Sequence, residues 1–259
     1  MLQILIPMAG AGKRFQDEGY TLPKPLIPVD GVPMIIKAVS FLPKAQKYIF
    51  VCREEHIKEA HIDEVIRQQY PDSVFIPINY LTEGQASTCL LAKSEIDPNE
   101  ELLIAACDNG VLYDHDAFAV AKSQYDALIW TFRNNATVAR NPKAYGWVRT
   151  KDSDVLGVSV KVPISDTPTK DHAVIGAFYF QKAQDFFLAA DSMIAQNRRV
   201  NNEFYVDELM NDAVQMGKKV GVFEADKYIC WGTPNDLKTY EYWQRFFSLV
   251  DFHPYTFKK

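Results

Sequence analysis

The hydrophobic residues of the first half fall into short, near-continuous runs separated by segments with apolar positions every three or four residues. Gln3–Ile6, Lys47–Cys52, Val74–Ile78 and Leu102–Cys107 are the runs. Apolar runs of this length suit strands covered on both faces. Between them, Pro33–Phe41 predicts a helix with proline in its first turn. Glu54–Tyr70 predicts a second, striped by Ile57, Ile62, Val65 and Ile66 and ended by Pro71. Gly84–Lys93 predicts a third, opening on a glycine. Strand and helix in alternation imply an α/β protein with a doubly wound, mostly parallel sheet.

The second half is less regular. Ala127–Phe132, Gly146–Thr150, Val155–Lys161, Ala173–Phe180 and Lys219–Glu224 predict strands, with a hairpin turn at Asp152-Ser153-Asp154. Lys182–Asn197, Val206–Met216 and Asn235–Phe247, behind Pro234, predict helices. No internal repeat, low-complexity segment or flexible linker interrupts the pattern, so residues 1–259 are expected to form a single domain.

Composition narrows the field without redirecting it. Hydrophobic residues make up 47% and charged residues 24%, as in an ordinary globular chain. A net charge of −5 with dispersed cations leaves no footprint for nucleic acid. Cys52, Cys89, Cys107 and Cys230 are widely spaced, which indicates neither a zinc site nor a disulfide framework. With no membrane-length apolar run and no signal-peptide pattern, a cytoplasmic protein is expected.

The chemistry concentrates between Leu5 and Leu26. The first apolar run ends in Ala9-Gly10-Ala11-Gly12, followed by Lys13-Arg14 and then by Pro23-Lys24-Pro25-Leu26. A buried strand feeding a glycine-rich turn lets backbone N–H groups approach an anion, and Arg14 and Lys24 add positive charge from both ends of the loop. Two familiar motifs fail here. A P-loop needs glycine where Pro7 stands and Ser or Thr where Arg14 stands, and the dinucleotide fingerprint needs glycine where Phe15 stands.

The stretch resembles the signature of the sugar-phosphate nucleotidyltransferases (nucleotide-sugar pyrophosphorylases), a G-x-G-x-R turn followed by P-K-P-L. The resemblance implies a Rossmann-like α/β fold with a mixed, mostly parallel sheet. It divides the chain into a nucleotide-binding half (1–133), an acceptor-binding half (134–240) and a C-terminal helix and tail (241–259). The implied reaction moves a nucleoside monophosphate from an NTP to a sugar 1-phosphate and releases pyrophosphate. Arg14 and Lys24 would hold the triphosphate, and Ala9, Gly10, Ala11, Gly12 and Lys13 would line its loop. Asp108, at the end of the run Leu102–Cys107, would bind Mg2+ together with substrate phosphates.

Further along, Asn79, Gly84 and Gln85 sit at offsets where the resemblance implies a nucleobase loop. Gly84 as a plain helix start explains the same residues. Tyr145-Gly146 matches the acceptor segment, where a glycine opening a hairpin strand is the alternative. Lys161, Lys170 and Glu203 complete the acceptor candidates.

Two positions depart from the family pattern. Val160-Lys161-Val162-Pro163 lacks the glutamate that contacts a sugar, which leaves open a cytidylyltransferase acting on a non-sugar phosphorylated alcohol. Cys230 stands where a second metal-binding aspartate is expected, with Asp226 or Asp236 as possible substitutes. This second departure leaves open a non-catalytic nucleotide-binding module. Asp114-His115-Asp116 fits the D-x-D of a metal-dependent glycosyltransferase, or else Asp116 caps the following helix. The expected partners are an NTP and a phosphorylated small molecule, with neither nucleic acid nor membrane, and a homo-oligomer is left open.

Overall fold

The structure, a computed structural model, describes residues 1–250. The end of the expected C-terminal tail, 251–259, lies outside the described residues. Strand β1 (Leu2–Met8) is followed by a four-residue helix α1 (Lys13–Gln16), the two-residue strands β2 (Pro28–Val29) and β3 (Val32–Pro33), and helix α2 (Met34–Ser40). Then come β4 (Lys47–Arg53), α3 (Glu54–Lys58), α4 (Ile62–Arg67), β5 (Val74–Ile78), α5 (Gln85–Leu90), β6 (Glu101–Ile104), β7 (Asn109–Leu112), α6 (His115–Gln124) and β8 (Ala127–Phe132). The second half adds β9 (Gly146–Lys151), β10 (Asp154–Val160), β11 (His172–Phe180), α7 (Ala183–Ala195), α8 (Val206–Gln215), β12 (Val220–Glu224), β13 (Lys227–Cys230) and α9 (Pro234–Ser248).

Nine strands form one mixed sheet in the order β5-β4-β1-β6-β11-β8-β12-β10-β9. β5, β4, β1 and β6 run parallel, as the alternating first half predicts. Parallel order stops where β11 pairs antiparallel with β6. Beyond that seam only β8 and β12 are parallel neighbours. Along β1, Ile4 and Ile6 face one core and Leu5 the other, so helices cover both faces. A third, small core joins Phe15, Ile27, Val29, Met34, Ala38, Trp231 and Leu237.

Three local expectations are corrected. The single helix predicted over Glu54–Tyr70 is two, because His61 turns left-handed (φ 50°) between α3 and α4; Ile62 and Ile66 stay buried. The run Leu102–Cys107 is strand only to Ile104. The chain then leaves the sheet, and β7 pairs antiparallel with β13 as a separate ribbon. Finally, α6 is capped by Asp114 rather than Asp116: the Asp114 carboxylate accepts from the N–H groups of Asp116 and Ala117 at 2.8 and 3.0 Å. None of the described helices is long and apolar enough to cross a membrane.

Candidate functional site

β1 and β6 are parallel neighbours, so the segments leaving their carboxyl ends emerge side by side. One carries Gly10–Gly12 and the other Cys107-Asp108. Gly12 is left-handed (φ 63°), and a Cβ there would meet the Lys24 Cβ at 3.4 Å, so the turn and the lysine segment pack closely. Across this gap the Lys24 Nζ donates to the Asp108 Oδ2 at 2.5 Å. Burial opposes the Lys24 charge, but the Asp108 carboxylate outweighs it and raises the ammonium above its ordinary range.

Asp108 is held from the other side by the β7–β13 ribbon. Its carbonyl accepts from the Trp231 N–H at 2.8 Å. Its carboxylate lies against Gly232, where a Cβ would come within 2.9 Å of Oδ2 and 3.2 Å of the Cys230 Sγ. Glycine lets the chain pass between carboxylate and thiol without displacing either. Burial first, then the neighbouring Asp108 charge, pushes the Cys230 thiol up to about 12, so it is neutral at pH 7.

Two cavities meet here. The first, about 550 Å³, is lined by Gly10, Ala11, Gly12, Lys13, Arg14, Lys24, Gln85, Asp108 and Gly232. The second, about 980 Å³, is lined by Arg140, Tyr145, Lys161, Tyr205, Cys230 and residues of α9. Arg14 and Glu203 line both. The Lys161 Nζ donates to the Ala144 carbonyl at 2.5 Å and lies 5.5 Å from the centre of the Tyr205 ring. Burial, then Glu203, pushes the Tyr205 phenol up to about 12.

Other expected site residues fall elsewhere. Ala9 is buried in the core, so its side chain meets no ligand. Asn79 is exposed and lines neither cavity. Gly84 is explained inside the protein: at φ 126°, a Cβ there would sit 2.5 Å from the Phe204 N and 2.6 Å from the Phe204 O. Gly146 has a similar reason, since its Cβ would collide with the Asp207 carboxylate at 2.2 Å. Lys170 lines a different cavity, with Arg133, Arg149 and His172. Asp226 lines a fourth, beside Arg133 and Asn134, while Asp236 accepts from the Thr233 hydroxyl at 2.7 Å on the wall of the second. Asp114 and Asp116 are both exposed, and neither lines either cavity.

Sequence reasoning missed Arg140, on a short turn, and Tyr240 and Trp243 on α9, all of which line the second cavity, as does Lys143 within the acceptor-like segment. Arg140, Tyr240 and Trp243 lie in no motif, and only the fold brings them to the cavity.

Among the described residues, no group of three or more His, Cys, Asp or Glu side chains is placed to hold a metal ion. Asp108 offers a single carboxylate, and the adjacent Cys230 is soft and neutral. That donor set fits a hard cation that takes its remaining ligands from phosphate and water, as Mg2+ commonly does.

Residues 4–244 match the family model described as Nucleotidyl transferase. The bifunctional protein GlmU of Thermotoga sp. (strain RQ2) is 27% identical over 247 residues, covering 92% of this chain and 49% of that protein. GlmU of Thermotoga maritima gives the same figures, so the chain spans about half the length of these relatives. Among solved structures, the nucleoside-diphosphate-sugar pyrophosphorylase of Vibrio cholerae RC9 superimposes with a TM-score of 0.75 at 20% identity, covering 92% of this chain and 98% of that one. The inositol-1-phosphate CTP transferase of T. maritima gives 0.73 at 16% identity, covering 96% and 97%. At these identities the two structures share the fold with this chain.

Proposed function

The chain belongs to the nucleotidyl transferase family, and we propose that it transfers a nucleoside monophosphate from an NTP to a sugar 1-phosphate, releasing pyrophosphate. The observation that carries this reading is the junction of two cavities at Arg14 and Glu203, with the Lys24–Asp108 pair in the wall of the first. A triphosphate in the glycine-lined cavity would present its α-phosphorus to an acceptor in the larger one.

An acceptor phosphate oxygen is already ionised at neutral pH, so in-line attack on the α-phosphorus needs no general base. The P–O bond to the acceptor forms as the bond to pyrophosphate breaks. The protein's part is positioning and charge neutralisation. Arg14 and Lys24 hold the β- and γ-phosphates and stabilise the charge that collects on departing pyrophosphate. The turn at Gly10–Gly12 brings backbone donors to the same oxygens. Asp108, with substrate phosphates, would hold Mg2+, which supplies further charge neutralisation at the phosphates.

A second reading keeps the chemistry and changes the acceptor to a non-sugar phosphorylated alcohol with CTP as donor. It is favoured by Val160-Lys161-Val162-Pro163, which carries no carboxylate for sugar hydroxyls. The test of both is pyrophosphate release with magnesium from CTP, UTP, dTTP, GTP and ATP. Each nucleotide is paired with hexose 1-phosphates and with small phospho-alcohols. Turnover with a hexose 1-phosphate supports the first reading and turnover with a phospho-alcohol alone supports the second. Silence throughout, with nucleotide binding intact, refutes both.

A further inference from the structure

α9 touches both sides of the site. Asp236, Thr239, Tyr240 and Trp243 line the larger cavity, while Leu237 is buried in the small core with Phe15 and Ile27, which flank the Lys24 segment. The helix also grips that segment at two points. Lys238 pairs with Glu18 ahead of Lys24. Behind Lys24, the Tyr240 hydroxyl donates to the Asp30 Oδ2 at 2.7 Å, and the Lys37 Nζ donates to the same oxygen at 2.5 Å. Asp30 and Gly31 are both left-handed (φ 54° and 75°) and close the β2–β3 hairpin only four residues after Leu26. An Asp-Gly pair takes this turn readily, and the Asp30 side chain is in addition anchored by hydrogen bonds with Lys37, Tyr240 and Gln244.

We propose that Tyr240 is a positioning residue: from the wall of the acceptor-side cavity, its hydroxyl fixes Asp30 and so fixes the segment that presents Lys24 to the polyphosphate. This rests on the nucleotidyltransferase reading of the first cavity. The Tyr240 ring does separate work, since it packs on Trp231 with centroids 5.8 Å apart. Tyr240→Phe therefore removes the bond to Asp30, together with the one the hydroxyl accepts from the Gln244 Nε2 at 3.3 Å, and leaves the packing.

The test uses the full chain and inorganic pyrophosphate, whose binding depends on no choice of nucleobase or acceptor. Calorimetry should show pyrophosphate binding about three- to tenfold weaker in Tyr240→Phe, less than a direct hydrogen bond to a charged group would lose, because the tyrosine acts through Asp30. Hydrogen exchange over residues 18–31 should speed up. In a Lys24→Ala background, Tyr240→Phe should cost nothing further, because the tyrosine acts through the lysine. Equal losses in both backgrounds, or faster exchange with unchanged affinity, would reduce Tyr240 to a structural contact and overturn the proposal. Failure of the wild-type protein to bind pyrophosphate at all would overturn the nucleotidyltransferase reading instead. Should Tyr240→Phe fold poorly, Lys238→Gln cuts the second tie at an exposed position and predicts the same pattern at smaller size.

Discussion

Gly84 lies at the position where family resemblance implies a close backbone approach to a nucleobase, yet the structure gives it a different neighbour. Replacing it with alanine separates the two roles. At φ 126° and ψ 178° the residue occupies a region open essentially to glycine alone, which costs an alanine about 1–3 kcal/mol. The new methyl would also sit 2.5 Å from the Phe204 N and 2.6 Å from the Phe204 O. Those are backbone atoms and cannot swing aside. They are tied to the same loop by the Phe204 N–H donating to the Glu83 carbonyl at 2.8 Å and the Ala86 N–H donating to the Phe204 carbonyl at 2.9 Å. Relieving the overlap stretches both bonds, and overpacking of this kind costs about 1–3 kcal/mol. Gly84→Ala should therefore lose about 2–6 kcal/mol, a large share of the roughly 5–15 kcal/mol of a typical domain. Urea unfolding followed by tryptophan fluorescence should show the midpoint falling by about 1 M or more. Gly10→Ala is the control, since a Cβ there meets nothing within 4 Å. Equal midpoints for the two variants would refute the packing account, and a loss of nucleotide affinity at unchanged stability would return Gly84 to the base-binding role.

Three further outcomes are expected. Lys24→Ala should lower pyrophosphate release at least about tenfold with the fold intact by circular dichroism, because it removes a cation from the triphosphate; wild-type rates would rule out its role. Gly232→Ala should cost a comparable factor in turnover with little change in unfolding midpoint, since the methyl displaces the Asp108 carboxylate while the rest of the ribbon stays paired. Burial pushes the Asp207 carboxyl up to about 6, against the opposing pull of Lys161. A folded-state value above the unfolded one means that the native protein holds the proton more tightly, so the contribution of Asp207 to stability falls as pH rises from about 4 through about 6. Asp207→Asn should flatten that limb of the stability–pH curve, and an unchanged slope would contradict the assignment.

The parallel part of the fold was legible because strands covered on both faces read as apolar runs and the helices between them keep their stripes. Gly10–Gly12 and Asp108 could be placed together for the same reason, since adjacent parallel strands deliver their loops to one edge. The β7–β13 ribbon was not legible: Asn109 meets Cys230 more than a hundred residues away, and neither strand has a distinctive period. Nothing local distinguishes His61 as the break between α3 and α4. The Asp30-Gly31 turn did carry a signal, being a dipeptide favoured in two-residue hairpins, but its flanking strands are two residues long and make no pattern. Gly84 and Gly146 stand out in the sequence as glycines where a ligand is expected to approach the backbone closely. What constrains them, Phe204 and Asp207, comes from α8 and its approach and could not be read from either neighbourhood. Lys170 follows the acceptor hairpin in sequence, yet it lies beside Arg133 and His172, away from the two joined cavities.

The 2.5 Å contact between Lys24 and Asp108 also bears on which anions the first cavity would admit. A bare ammonium in a cradle of backbone donors would be a trap for any abundant small anion, and a trap already filled is an inhibited enzyme. With Asp108 as its standing partner, Lys24 presents little net charge to a passing orthophosphate or sulfate. An incoming anion must compete with a carboxylate already in place, and one carrying several charges along a chain of phosphates competes far better than one carrying two. On the proposed function, the ion pair would act as a threshold at Lys24, leaving Arg14 as the first cation an incoming anion meets and reserving Lys24 for a polyphosphate able to displace the carboxylate.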